Sequence, residues 1–568
     1  MTTSMPPRSV SVFVRPGRFG PGPTPSASLS TGRPIVHLGA DARQLRLESS
    51  VRTPRATLLL LTVGLLVFPG IAAIRPRAIL TAGSQTAGSA EQGTVKVSWD
   101  TALNVSKTTP TLQVVVNPLL RRGSPIHGPA FQSLRDLGCD YVRYVPWFPY
   151  PKLGVAALEP PANGKTSWDF SLIDPMTEDF MNAVKGHSVM MNFSTIPHWM
   201  FKTDKPVQYP ANPDEPTWTY NQGTDLRDPS LKELGDYFAR IVSWYTKGGF
   251  TDEFGRRHES GHRYKFDYWE VLNEPDLEHQ TTPEQYTERY DAIVSAIRAV
   301  DPSIKFVGIS VANTAVTARF FEYFLDPKNH KPGIPIDMIS YHFYAIPTVD
   351  QPPEIQQYTF FDQAERFLAT VRYIELIRKR LAPNVRTTIN EIGAITGEDL
   401  LQGEPGFTFK PIPPAYWSVV SGMYAYLYAE LARIGIDIAG ESQLVGYPTQ
   451  FPSVTMVDWD TGRPNARWQV LKLLHDNFGP GDTLVETRVE LTSKQPYVYG
   501  QAFVGRDGRR RILLVNKRNR AFALTLPGAR GVALVVDQTT AGNPARSVRL
   551  SDGTVTIDAN GVVVVTLE

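Results

Sequence analysis

Two glutamates stand where apolar strands should end. The segments are Tyr268-Trp-Glu-Val-Leu-Asn-Glu-Pro275 and Arg386-Thr-Thr-Ile-Asn-Glu-Ile-Gly393. Each opens as a buried strand and delivers a carboxylate, Glu274 or Glu391, at the point where a loop should begin. Glutamate is depleted from strands and is rarely buried without a partner, so acids in these places need a reason. Two acids on separate strands facing one cleft are the minimum equipment for cleaving a glycosidic bond.

The elements that must position them follow from the rhythm of the chain. At 568 residues it is too long for one ordinary domain. Residues 1–55 are rich in Pro, Gly, Ser and Arg without an apolar period, and read as a disordered leader. Ala56–Ile74 is uncharged and apolar, close to the ~20 residues that span a bilayer, and reads as an export signal or an uncleaved anchor. The protein is therefore expected outside the cytoplasm, secreted or held at the membrane. A polar linker is expected over 75–94 and a barrel over 95–478.

In that barrel region, candidate strands Leu112–Val116, Tyr141–Phe148, Val189–Thr195, Tyr268–Glu274, Phe306–Val311, Met338–Tyr344, Thr387–Glu391 and Ser442–Val445 alternate with helical stretches. Thr282-Pro-Glu-Gln285 is a capping-box helix start, and Gly435 a helix stop. Eight strands alternating with helices predict an α/β chain with a (β/α)₈ barrel. A doubly wound sheet would need a Gly-rich phosphate fingerprint, and none follows a strand. From 479 to 568 the runs are short and alternating, predicting a small antiparallel β-sandwich to which Val95–Asp100 could add a strand.

Barrel sites lie at the carboxyl ends of the strands. Glu274 and Glu391 fall there, after the fourth and seventh candidates. With them cluster Arg143, Trp147, His198, Trp199, Asn273, His342 and Tyr344 as candidate substrate contacts. A retaining glycosidase needs one protonated acid and one ionised carboxylate, roughly 5–5.5 Å apart. A cation such as Arg143 beside Glu391 would keep it ionised, and an apolar wall beside Glu274 would hold its proton.

Trp269-Glu-Val-Leu-Asn-Glu-Pro275 resembles the Asn-Glu-Pro signature of the large clan of retaining glycosidases with (β/α)₈ barrels. The resemblance implies that Glu274 is the acid/base, that Asn273 contacts the 2-hydroxyl of the sugar, and that Glu391 is the nucleophile. Arg143 matches the clan's second-strand arginine and Tyr344 its sixth-strand aromatic. Leu134–Arg143, Trp168–Asp174, Asn192–Pro197 and Asp337–Tyr344 look most like glycoside hydrolase family 39, the β-xylosidase and α-iduronidase family. Two departures fall where the sugar is read. Ile392 follows the nucleophile where the family's xylosidases usually have an aromatic residue, and Gly440–Gly446 lacks the clan's eighth-strand tryptophan.

Other chemistries fit less well. A net charge of +2 and the lack of any basic helix give no sign of a nucleic-acid partner. Cys139 is the only cysteine, which excludes an intrachain disulfide and a cysteine metal site. His258-Glu-Ser-Gly-His262 fits the H-E-x-x-H pattern, but Gly255 and Gly261 argue against the helix that zinc ligation requires. No metal and no organic cofactor are expected, and the partner is a carbohydrate. Glu398 and Glu441 are rivals to Glu391. The competing functional readings are a non-catalytic glycan-binding cell-surface protein on a barrel scaffold, and a transglycosylase.

Overall fold

The computed structural model describes residues 90–568, apart from 204–207, 219, 221–222, 313, 315–317 and 551. The expected leader, the apolar segment Ala56–Ile74 and most of the expected linker lie outside the described residues. Among the described residues, no helix is long and apolar enough to cross a membrane.

Eight parallel strands close a barrel: Thr109–Val115, Val142–Val145, Val189–Met191, Tyr268–Glu270, Lys305–Val311, Met338–Ala345, Arg386–Ala394 and Ile438–Glu441. In chain order these are the first to eighth barrel strands. The principal helices that follow them are His127–Leu137, Asp174–Ala183, Lys232–Lys247, Pro283–Val300, Ala318–Phe324, Pro353–Leu381, Pro414–Ile434 and Ala466–Asn477. Strands covered on both faces read as continuous apolar runs, which is why this region lacks a clean alternation. The helix after the fourth strand starts on the expected capping box, with Thr282 and Gln285 bonded reciprocally. Gly435, at φ 94°, ends the seventh helix in the left-handed conformation that glycine tolerates.

The eighth strand lies earlier than expected, at Ile438–Glu441 and not at Ser442–Val445. Its Ala439 and Gly440 carry little strand propensity, so the apolar residues that follow mask it. Close packing explains the glycine: a Cβ at Gly440 would stand 3.0 Å from the Asn390 Cα of the seventh strand.

The carboxy-terminal region is a nine-stranded sheet. Its strands run in the order Arg546–Leu550, Gly531–Val536, Val562–Leu567, Arg510–Asn516, Val498–Val504, Thr483–Leu491, Glu91–Val105, Phe522–Thr525 and Thr554–Ile557. Neighbours are antiparallel except Glu91–Val105 with Phe522–Thr525, which run parallel. Strands from both ends of this order share one apolar cluster, including Val95, Ile512, Phe522, Ile557 and Val563. The strand at Glu91–Val105 thus belongs to this sheet, beginning inside what composition reads as linker.

The barrel interior changes character along its axis. Near the amino ends of the strands Met190, Tyr268, Val307, Met338 and Ile438 form a separate apolar plug. Above it the inward positions become polar. Successive inward residues of the sixth strand, two apart, read Met338, Ser340, His342 and Tyr344.

Candidate active site

The middle layer is built around Arg143, 1% exposed. Its guanidinium donates to Glu270 Oε2, Gln113 Oε1, Glu391 Oε1, Asn273 Oδ1 and Ser310 Oγ. Glu270 is fully buried and also accepts from Asn192, Ser340 and Asn390. An ion pair taken this far from water is tolerable only when its remaining lone pairs and protons are also bonded, and here they are.

Glu274 and Glu391 stand above this layer with His342 between them. His342 Nδ1 lies 2.8 Å from Glu274 Oε1 and 3.5 Å from Glu391 Oε2, and its Nε2 lies 3.1 Å from Ser310 Oγ. One carboxylate oxygen of each glutamate and a ring nitrogen of His342 all fall within 4.8 Å of one another. Tyr344 donates its hydroxyl to Glu391 Oε2 at 2.5 Å and lies 2.7 Å from Ser442 Oγ. Asn273 carries Arg143 on its oxygen and donates its amide N–H to Glu278 Oε1 at 2.8 Å.

The backbone contributes as well. Glu274 has φ 38° and Ser310 φ 51°, and Glu274 N–H donates to the Ser310 carbonyl. Non-glycine residues in this region are strained, and such strain collects at functional sites. Here it re-aims the carboxylate over the barrel mouth.

The two carboxyls are tuned in opposite directions. Burial pushes Glu274 above the ordinary carboxylate range, and the contact with His342 only partly offsets it. Burial also pulls Glu391 upward, but the charges of His342 and Arg143 and the Tyr344 hydrogen bond outweigh it and hold Glu391 low. His342 is held above its ordinary value: burial opposes its charge, but Glu391 and Glu274 outweigh that. Arg143 and His342 therefore favour a negative charge on Glu391, while burial favours the proton on Glu274.

Of the remaining expected residues, Trp147 reaches this centre indirectly, donating its indole N–H to Glu278 Oε1 at 2.7 Å. His198 is buried, and its backbone N–H donates to the Tyr220 hydroxyl. Trp199 faces elsewhere. Its indole N–H donates to the Ala157 carbonyl, its ring lies under Arg227 at 4.4 Å, and it lines a different cavity with Trp168 and Arg240.

The rivals are engaged otherwise. Glu398 lies 3.4 Å from Lys410. Glu441 pairs on the outer face with Arg467 of the last barrel helix, and burial pushes it up to about 7 despite that partner. His258 lies on the short strand Arg257–Glu259 with its ring on Asp252, and His262 faces Asp174, so the two do not share a metal. Cys139 is buried, and burial pushes its thiol up, away from nucleophilic use.

Sequence reasoning missed Gln113, Glu270, Glu278, Ser310 and Ser442. Glu270 carried the same signal as Glu274, an acid inside an apolar strand. Ser340 and His342 follow from the period-two alternation of the sixth strand. Glu278 gave no signal, because its role depends on the path of the loop after Pro275.

Comparisons with known proteins agree on the architecture. The model of the alpha-L-arabinofuranosidase 1 domain matches residues 216–366, a span that includes Glu274. The immunoglobulin-like C-terminal domain of D-apionate lactonase matches residues 497–565. A search of curated protein sequences finds no match. Among solved structures, the family 51 arabinofuranosidase of Xanthomonas axonopodis pv. citri superposes with a TM-score of 0.56 at 13% identity, covering 84% of this chain and 99% of that one. A glucosidase of Croceicoccus marinus gives 0.53 at 15% identity, with 84% and 99% covered. The family 30 endoxylanase of Clostridium papyrosolvens C71 gives 0.51 at 14%, with 84% and 100% covered. The families named here are 51 and 30; family 39 is not among them. Three different activities at such low identity share a fold and not a substrate. What the chain shares with these glycoside hydrolases is the (β/α)₈-barrel fold.

Proposed function

We propose that this chain is a retaining glycoside hydrolase acting on O-glycosidic bonds of a poly- or oligosaccharide, with Glu274 as acid/base and Glu391 as nucleophile. The observation that carries this reading is the opposed tuning of two carboxyls whose nearest oxygens lie within 4.8 Å. Inverting enzymes hold their carboxyls about 6.5–9.5 Å apart to admit a water, so the spacing favours retention. Glu274 gives its proton to the leaving oxygen while Glu391 attacks the anomeric carbon. The glycosyl–Glu391 ester is then cleaved by a water that Glu274, now ionised, deprotonates. Pentose-containing chains are the first substrates to try, because the matched arabinofuranosidase domain model spans Glu274. An export signal or anchor at Ala56–Ile74 would bring the barrel to such polysaccharides outside the cytoplasm.

The test is the stereochemistry of the first product, read by proton NMR on an aryl arabinofuranoside or xyloside before mutarotation. The released sugar is expected to keep the substrate's anomeric configuration. An inverted first product removes Glu391 from the nucleophile role.

The pH profile gives a second check. Activity requires Glu391 ionised and Glu274 protonated, so kcat/KM should be bell-shaped, with limbs belonging to the coupled pair. His342 lowers the proton affinity of both carboxyls. Replacing it (His342→Phe) removes a cation from both, so both limbs should move to higher pH. Limbs that stay in place would show that His342 does not tune the pair.

A further inference from the structure

Glu278 Oε1 accepts from Asn273 on one side and from Trp147 on the other, tying the catalytic centre to an aromatic cluster. Ring centroids of Trp147 and Trp218 are 5.6 Å apart, and those of Trp218 and Phe451 are 5.4 Å apart. Trp218 is also a wall of a cavity of about 500 Å³, which Gln208, Tyr209, Pro210, Pro216 and Gly403 line with it.

The cavity is preformed by contacts between loops. Thr217 N–H donates to the Pro149 carbonyl and Lys152 to the Ala211 carbonyl, so the stretch 211–217 is held against the segment just after Trp147. Gly403, from the loop after the seventh strand, has φ 87°, and a Cβ there would stand 2.6 Å from the Trp218 Cβ. Only a residue without a side chain lets the two loops close. The walls are aromatic and proline C–H surface, with the Gln208 amide and, as an acceptor, the Tyr209 hydroxyl for hydrogen bonds. Flat apolar walls with a few polar atoms suit a sugar ring, whose faces are C–H and whose rim is hydroxyl. Charged groups stand close to this wall: Tyr209 donates its hydroxyl to Glu159, and Lys152 Nζ lies 5.8 Å from the centre of its ring.

We propose that this cavity is a distal saccharide subsite, taking a further sugar unit of a chain whose scissile bond lies between Glu274 and Glu391. The proposal rests on the glycosidase reading and adds to it the place where a further unit of the oligomer is held.

The experiment uses Trp218→Ala, Tyr209→Ala and the wild type, with linear xylo- and arabino-oligosaccharides of one to five units and an aryl monoglycoside. The wild type should gain kcat/KM with chain length. In either variant the ratio of kcat/KM on the longest active oligomer to that on the aryl glycoside should fall at least about tenfold, as expected for a buried aromatic contact. Gly403→Ala, which displaces Trp218 without removing it, should lower the same ratio. Equal losses on both substrates, or no gain with chain length in the wild type, overturn the subsite. Calorimetric binding to the Glu391→Gly protein separates the two readings. A wild type that turns over no glycoside sinks the catalytic assignment, whereas the subsite still stands or falls on whether Trp218→Ala weakens oligomer binding in that background.

Discussion

Replacing Glu391 with Gly should lower kcat on an aryl glycoside by at least about 10⁵-fold, or roughly 7 kcal/mol in barrier. The loss is large because no neighbour can substitute for it. Glu270 is enclosed by four donor side chains below the site, Glu398 lies near Lys410, and Glu441 faces Arg467 outside the barrel. The fold should survive, since Arg143 keeps its pairing with Glu270 when Glu391 is removed. The space left beside Arg143 and His342 is cationic and suits a small anion. Azide or formate should therefore restore part of the rate, azide by forming a glycosyl azide of inverted configuration. Wild-type turnover in this variant would end the assignment of Glu391.

Arg143→Met should be the most damaging single change to stability, by about 3–5 kcal/mol, the range for breaking a buried ion pair. Methionine fills much of the volume, so the cost is electrostatic. Glu270 would remain fully buried with three neutral donors and no cation, and Glu391 would lose one of the two charges that keep it ionised. Activity should fall with stability, and the acid limb of the pH profile should move up as Glu391 holds its proton longer. Arg143→Lys should recover only part of either loss. A single ammonium cannot span Gln113, Glu270, Asn273 and Glu391 as the planar guanidinium does. Equilibrium denaturation together with kcat/KM measures both effects; a Met variant as stable as wild type would show that the layer is not held by this charge.

Much of this was legible in the residues. The alternation of apolar runs with capped helices foretold the barrel, because strands buried on both faces leave long apolar signatures. Glu274 announced itself by breaking such a run next to Asn273 and Pro275. What escaped notice depended on register and direction. Thr388 and Glu391 flank an irregularity in the seventh strand's pairing, which no periodicity displays. Trp199 shares a loop start with His198, yet its ring packs outward under Arg227, because adjacency in a turn does not fix which way a side chain points. The eighth strand was displaced by a few positions because Gly440 is there for clearance and not for propensity.

The strand Glu91–Val105 lies inside the carboxy-terminal sheet, flanked by Thr483–Leu491 and Phe522–Thr525. During synthesis it leaves the ribosome hundreds of residues before either neighbour exists, so it waits with both edges bare while the barrel takes shape. Scissors placed at Gly479, where the sequence changes rhythm, would therefore not release two working halves. The amino-terminal fragment would carry a sticky, partnerless ribbon, and the carboxy-terminal fragment would lack an interior strand. Residues 479–568 thus complete a sheet that the first described strand begins.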